Sequence, residues 1–365
     1  MRKQYNWILL AGLSLLALSA PACGKLGPAQ AEALPGDGGV DLTVRVGTPA
    51  TKAASQSEEN EKMIRNVQVF VFRSGKSADA GKLEVAVSAG FDKELEVSSG
   101  RFDGLTVKCS TGDREVWAVV NDSRDRTAGP DAVSTLEGLL QQTHLLSDSR
   151  KDKLLMAGSS GSRTLHEGKE EIGIEVHRLA ASVVLESVKN DFLSPAYQKS
   201  GVFRVEDCYL VNVPGSVSLG GAQDASALPP EAWLARQAGD KDACEAGLIY
   251  DRVEPKTVEF GASDTTPHSF YSYPNACPAA EDAAWNPRAT LLVLEASLHD
   301  GREWTRYYYP IVLSGGLASN KQYRVQLTVH RPGSTDPNKP VRFDDLTSVI
   351  KVSDWDTGEA YHPEI

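Results

Sequence analysis

Polar and apolar residues alternate in many short segments of this chain, and one stretch carries apolar positions clearly at helical spacing. A period of two marks a strand that buries one face. In Val40–Val46, Leu42, Val44 and Val46 point one way and Asp41, Thr43 and Arg45 the other. Ile64–Phe72 alternates Val67, Val69 and Val71 with Gln68, Phe70 and Phe72, and its two apolar faces predict a central strand. The same reading gives strands at Leu83–Val87, Lys93–Val97, Gly104–Cys109, Glu115–Val120 and Ile172–Val176, the last running on through Arg178 to Val188. The second half adds Val202–Val213, Thr257–Phe260, Ala289–Leu298, Trp304–Leu313, Tyr323–His330 and Thr347–Ser353. Leu136, Leu139 and Leu140 predict a helix over Ala132–His144. Gly215–Cys244 and Gly261–Asn286, rich in Gly, Pro, Ala and Ser, are expected as long loops, and Gly47–Lys62 as a polar, flexible one. Many short strands with Gly/Pro punctuation and little helix predict an all-β chain of sandwiches. A length of 365 residues suits two domains in tandem, with a boundary near Glu175–Leu179.

The first residues break this pattern. Arg2 and Lys3 precede an apolar run, Trp7–Leu18, and then Ser19-Ala20-Pro21-Ala22 leads into Cys23. This is the layout of a secretory signal, with an apolar core too short to span a bilayer comfortably. A cysteine directly after the small residues points to lipoprotein processing with Cys23 acylated; an ordinary cleaved signal followed by a chance cysteine is the alternative. Gly24–Gly39 reads as a tether. Beyond residue 22 no apolar run approaches the ~20 residues of a membrane span. Loss of Arg2 and Lys3 takes the net charge from −11 to −13, which leaves no basic footprint for nucleic acid.

A search for reactive constellations yields none. Gly158-Ser159-Ser160-Gly161 lacks the spacing of a nucleophile elbow. Zinc-protease, phosphate-loop and EF-hand motifs are missing, and His144, His166, His177, His268, His299, His330 and His362 are dispersed. Asp344-Asp345 and Glu170-Glu171 are adjacent, so on a strand they face opposite ways. No catalytic, metal or cofactor residue is assigned, and the chain does not read as an enzyme. Cys109, Cys208, Cys244 and Cys277 show no metal-ligand spacing; a Cys244–Cys277 disulfide and unpaired buried thiols both remain open. Trp304, Tyr307, Tyr308 and Tyr309 admit two readings, a sugar-binding surface or half core and half cross-strand ladder.

The ends of the mature chain carry more information. Lys52 sits among small and polar residues after the first strand, and a trypsin-like cut between Lys52 and Ala53 would detach Leu42, Val44 and Val46 from the covalent chain. A sandwich without such a strand exposes an apolar groove and unpaired backbone groups, which a strand from another molecule can repair. After the Pro/Gly-rich Gly333–Pro340, the segment Leu346–Trp355 alternates through Ile350 and Val352 and ends on Trp355, and offers such a strand. Two ordinary terminal strands, each serving its own domain, are the other reading.

Several segments resemble the Bacteroidales fimbrillins, subunits of type V pili, and the short-fimbria Mfa-type major subunit in particular. They are Ile64–Phe72, Val116-Trp117-Ala118-Val119-Val120-Asn121, Leu155–Gly158, Val176–Val183, Tyr209–Pro214, Tyr323–Val329, Gly333–Pro337 and Val352–Trp355, in the family's order. The resemblance implies two transthyretin-like/Greek-key β-sandwiches in tandem. It divides the chain into a signal peptide (1–22), a lipidated propeptide with the first strand (23–52), two sandwiches (53–177 and 178–340) and a C-terminal donor segment (341–365). It further implies an outer-membrane lipoprotein precursor with a lipid (palmitate) anchor on Cys23, cut after Lys52 by a trypsin-like protease. Copies of the chain would then polymerise head to tail through Ile350, Val352 and Trp355, alongside other pilus subunits, into a cell-surface fimbrium that supports adhesion. A pilus anchor or tip accessory, or a glycan-binding surface lipoprotein, is the alternative role.

Overall fold

The computed structural model describes residues 38–49, 60–221, 224–236, 247–251, 254–278, 287–313, 315–336, 346–355 and 360–361. The first half folds as a sheet of three strands, β4 (Arg101–Ser110), β1 (Gly39–Gly47) and β8 (Gly168–Glu175) in that order. It faces a five-stranded sheet ordered β3 (Leu83–Ala89), β2 (Val67–Arg73), β5 (Gly112–Val120), β7 (Met156–Leu165) and β9 (His177–Arg178). Between them lies a core of Val40, Leu42, Val44, Val46, Val67, Val69, Val71, Val116, Ala118, Val120, Ile172 and Ile174. The inward residues are those of the period-two pattern, because successive side chains of a strand alternate between its faces.

The second half repeats this plan. In one sheet β10 (Ala181–Asn190) is flanked by β17 (Ser263–Asp264) and β18 (His268–Ser272) on one side and by β21 (Lys321–Val329) on the other. In the other sheet β11 (Phe203–Val211) lies between the short β15 (Tyr250–Asp251) and β16 (Lys256–Thr257) and the hairpin β19 (Leu291–His299) and β20 (Trp304–Val312). Strand by strand, β1, β2, β3, β4, β5, β7 and β8 map onto β10, β11, β15/β16, β17/β18, β19, β20 and β21 in the same chain order and the same sheet order. Even the parallel pair is reproduced, β1 with β8 and β10 with β21. The fold is two transthyretin-like Greek-key sandwiches in tandem, with little helix among the described residues. β22 (Leu346–Asp354) and β23 (Ala360–Tyr361) extend the β10 sheet beyond β21 and have no counterpart in the first half.

The halves are sewn together. β6 (Thr143–Leu145) pairs with β13 (Ser216–Ser218), beside the small pair β12 (Val213–Pro214) and β14 (Trp233–Leu234). One apolar cluster runs from Phe70, Phe72 and Val119 on the outer face of β2 and β5, through Leu139, Leu146 and Leu155, into the second sandwich. The two apolar faces of β2 thus reflect burial on both sides. Asn121 and Asn212, each just past a central strand, take positive φ of 64° and 57°, a region where Asn is tolerated. Asn121 accepts from Arg65 N at 2.7 Å and donates to the carbonyls of Met63 and Leu154, so the turn after β5 ties the segment before β2 to the segment before β7.

Several expectations change. Lys93–Val97 is not a strand: Val97 makes an isolated bridge to Ile64, and Leu95 and Val97 lie over the first core. Ile64 precedes β2 rather than belonging to it, and of the segment Thr257–Phe260 only Thr257 lies in a strand, the short Lys256–Thr257. The helix shrinks to α1 (Leu136–Gln141), because the Thr135 side chain caps it by accepting from Gly138 N at 3.0 Å and Gln142 turns extended. β7, with its polar stretch Gly158–Arg163, and β18, inside the expected loop Gly261–Asn286, are strands that alternation does not mark.

Candidate strand-exchange groove

β1 fills a slot rather than an edge. It pairs antiparallel with β4 from Gly39 to Gly47 and parallel with β8 from Val40 to Gly47, so both its backbone edges are engaged. Val40, Leu42, Val44 and Val46 are buried against the opposite sheet, while the Arg45–Glu171 pair on the outer face is exposed and worth little. Burial of three valines and a leucine contributes roughly 6–12 kcal/mol. The register slips between Val44 and Val46, where Gly104 on β4 has a φ of +122° and a Cβ would stand 2.7 Å from the Val44 carbonyl oxygen. β1 closes with Thr48 N donating to the Gly100 carbonyl at 2.8 Å, and an open hollow of about 430 Å³ lies beside that end, lined by Val46, Gly47, Thr48, Arg101, Phe102 and Ile174 among others.

Cys109 lies opposite Val40 in this register and is buried. Burial, then the nearby Glu84 carboxylate, pushes its thiol up to about 11, with Arg114 opposing. Cys208 and Cys277 are also buried, and burial raises the Cys277 thiol too. Cys244 lies outside the described residues, as do Cys23, Lys52 and Ala53.

The C-terminal strand is docked in its own sheet. β22 runs antiparallel to β21 with nine partners, from Lys321 opposite Asp354 to Val329 opposite Leu346. Ile350 and Val352 are half-buried against the second core, whereas Val349 is exposed. Trp355 is buried, stacked on Tyr271 at 5.8 Å, with the Arg178 guanidinium 4.7 Å from its ring centroid. Its indole N–H donates to Glu61 Oε2 at 2.8 Å, and Tyr271 donates to the other oxygen of the same carboxylate. Sequence reasoning passes over Glu61, which sits at the end of the polar stretch expected to be flexible yet is buried.

The other candidates disperse. Tyr309 is in the core, Tyr307 and Tyr308 are half-buried against it, and Trp304 is exposed under Arg204, 4.5 Å from its ring. Three of the four aromatics therefore serve the fold. His144 is buried, with Nδ1 2.8 Å from the Tyr273 hydroxyl and Nε2 4.0 Å from Asp122, inside a structural network with Arg126. Among the described residues no group of three His, Cys, Asp or Glu is placed to hold a metal ion.

Residues 40–190 match the family model of the major fimbrial subunit protein, FimA. Over that stretch, less than half of the chain, the sequence is similar to the FimA family of fimbrial subunits. A comparison with curated proteins finds no match. Among solved structures, a putative cell adhesion protein from Bacteroides eggerthii is 20% identical and superposes with a TM-score of 0.60, covering 88% of this chain and 97% of that one. One from Parabacteroides distasonis is 18% identical with a TM-score of 0.56, over 87% and 100%. A fimbrilin from Porphyromonas gingivalis is 15% identical with a TM-score of 0.57, over 86% and 98%. These likenesses extend the fold of the FimA family to nearly the whole chain.

Proposed function

We propose that this chain is a structural fimbrial subunit made as a lipoprotein on Cys23, cut between Lys52 and Ala53 by a trypsin-like protease, and polymerised by strand exchange. The observation that carries the reading is the pairing of a slot with a spare strand. β1 is the middle strand of its sheet, so its loss leaves a groove walled by β4 and β8, and β22 is the long strand that the seven-strand plan of the first sandwich does not require. Leu346, Ser348, Ile350 and Val352 occupy alternate positions of β22 and point toward the core, and four alternate positions are what Val40, Leu42, Val44 and Val46 fill in the groove. Both sets span seven residues, about 20 Å of strand. A donor running in the direction of β1 would reproduce its pairing with both walls and carry Trp355 toward the hollow beside Thr48. Ser348, at the place of Leu42, is the weakest match.

Cleavage alone does not empty the groove, because the four buried side chains hold β1 after the chain is cut. The donor of a second copy must displace it, and main-chain hydrogen bonds along two edges supply the exchange. The product is a head-to-tail fimbrium supporting adhesion, in company with other pilus subunits, and the lipidated form is its outer-membrane precursor. The N-terminal residue of protein sheared from cells tests this. Ala53 is the expected start. A lipid-bearing Cys23 with no shorter form overturns the processing step and favours an anchor that keeps its first strand.

A further inference from the structure

The contact between Glu61 and Trp355 joins two parts of the chain that the proposed mechanism must move separately. Glu61 lies eight residues after Ala53, on the segment that leads from the expected cut into β2. Trp355 closes β22. The carboxylate accepts from the Trp355 indole at 2.8 Å and from the Tyr271 hydroxyl, and the Arg178 guanidinium donates twice to the Glu61 carbonyl at 3.2 Å while covering the indole ring. Trp355 N also donates to the Asn320 carbonyl at 3.0 Å, so the end of β22 is held on both its side chain and its backbone.

From this geometry we infer that Glu61 is a latch that keeps the C-terminal strand docked on its own subunit, and that cleavage of the preceding loop loosens it. The loop tethers the Glu61 segment to β1 at Thr48, itself fixed to Gly100. A cut after Lys52 leaves the segment that carries Glu61 joined to the fold from one side only, so it gains conformational freedom that it must give up to hold Trp355. A charge-assisted hydrogen bond in a buried site is strong while complete and is lost as a unit when the segment frays. The strand is therefore withheld in the precursor and offered in the processed subunit. This inference rests on the strand-exchange reading for its purpose, but the latch itself is a property of the single chain.

Hydrogen exchange on the full-length, uncleaved protein tests it. In Glu61→Ala, amides of the peptide covering residues 346–355 are expected to exchange about tenfold faster or more, the equivalent of one charge-assisted hydrogen bond, with β4 and β8 unchanged. Trp355→Phe, which keeps a ring and removes the N–H, is expected to give a smaller acceleration in the same peptide, and protein cut after Lys52 to match Glu61→Ala. Should Glu61→Ala fold poorly, Glu61→Gln carries the test, since it retains an acceptor without the charge. Unchanged exchange of that peptide in all four proteins overturns the latch. Accelerated exchange in protein cut after Lys52 that still forms no polymer keeps the latch and overturns the strand-exchange function.

Discussion

His144 is buried at the seam of the two sandwiches, and burial lowers its pKa; Asp122 and then Asp148 oppose the shift, while Arg126 and Lys153 reinforce it. The folded chain thus holds a neutral imidazole where the unfolded chain takes a proton below about pH 6.5. In that window the unfolded state binds more protons, so stability falls as pH falls, and it levels off only below the lowered folded pKa. Each unit of separation contributes about 1.4 kcal/mol. His144→Gln is expected to flatten this part of the slope in denaturant midpoints taken between pH 7.5 and 5.5; identical slopes in the two proteins would refute the assignment. Cys109 reports on a different event. Its thiol is shielded by β1 and held protonated, so it is expected to alkylate slowly in the precursor and roughly tenfold faster or more in a chain that begins at Ala53. A peptide of residues 341–365, added in trans, is expected to restore protection. A Ser348→Val peptide, with an apolar side chain at its weakest position, should do so at lower concentration. Labelling of Cys109 that ignores the peptide would argue against occupancy of the groove, and mass spectrometry separates it from Cys208 and Cys277.

Among the elements, β1 depends on Gly104, whose positive φ and closeness to the Val44 carbonyl leave no room for a side chain. Gly104→Ala is expected to cost about 1–3 kcal/mol through backbone strain and clash. The cost should appear as faster hydrogen exchange in residues 39–47, and a loss confined to other strands would show that the bulge is not what seats β1. The strands that sequence reveals are those with at least one apolar face turned to a core. Leu42, Val44 and Val46 announce β1, and β10, β19 and β21 are equally plain. β7 is silent because its middle, Gly158–Arg163, pairs by backbone with β5 while its side chains stay largely out of the core. Leu95 and Val97 mislead in the opposite sense, since they cover the first core from a loop without joining a ladder. The groove is legible as an idea, from an alternating strand followed by a cuttable loop. That β1 sits between two walls, and that one of them is parallel, needs pairing information which period-two alternation does not contain. Glu61 is least legible of all: its partner Trp355 is 294 residues away, and nothing in a polar loop distinguishes a buried carboxylate from an exposed one.

At the scale of the whole molecule, the repeated plan decides which strand can leave. Removing any of the seven matched strands opens a sandwich, but removing β22 and β23 strips strands added outside β21, of which Leu346 is buried, Ile350 and Val352 half-buried and Val349 exposed, and leaves the β17/β18-β10-β21 arrangement that its counterpart, β4-β1-β8, already shows to be complete. A chain ending at Pro340 is therefore expected to fold, with a lower melting temperature from the loss of Trp355 and its contact to Glu61. Once cut after Lys52 it retains a groove and lacks a donor. Mixed in small proportion with processed full-length protein, it should accept one donor and present none, so each molecule incorporated ends a polymer. Mean polymer length should then fall in proportion to the fraction added, as read by electron microscopy or a gel ladder. The uncleaved truncated chain, whose slot is still filled by β1 and which has nothing to donate, should leave the length unchanged and serves as the control for simple dilution. Polymers that grow through the truncated subunit would place the donor outside residues 341–365, and with it the asymmetry that the proposed head-to-tail assembly requires.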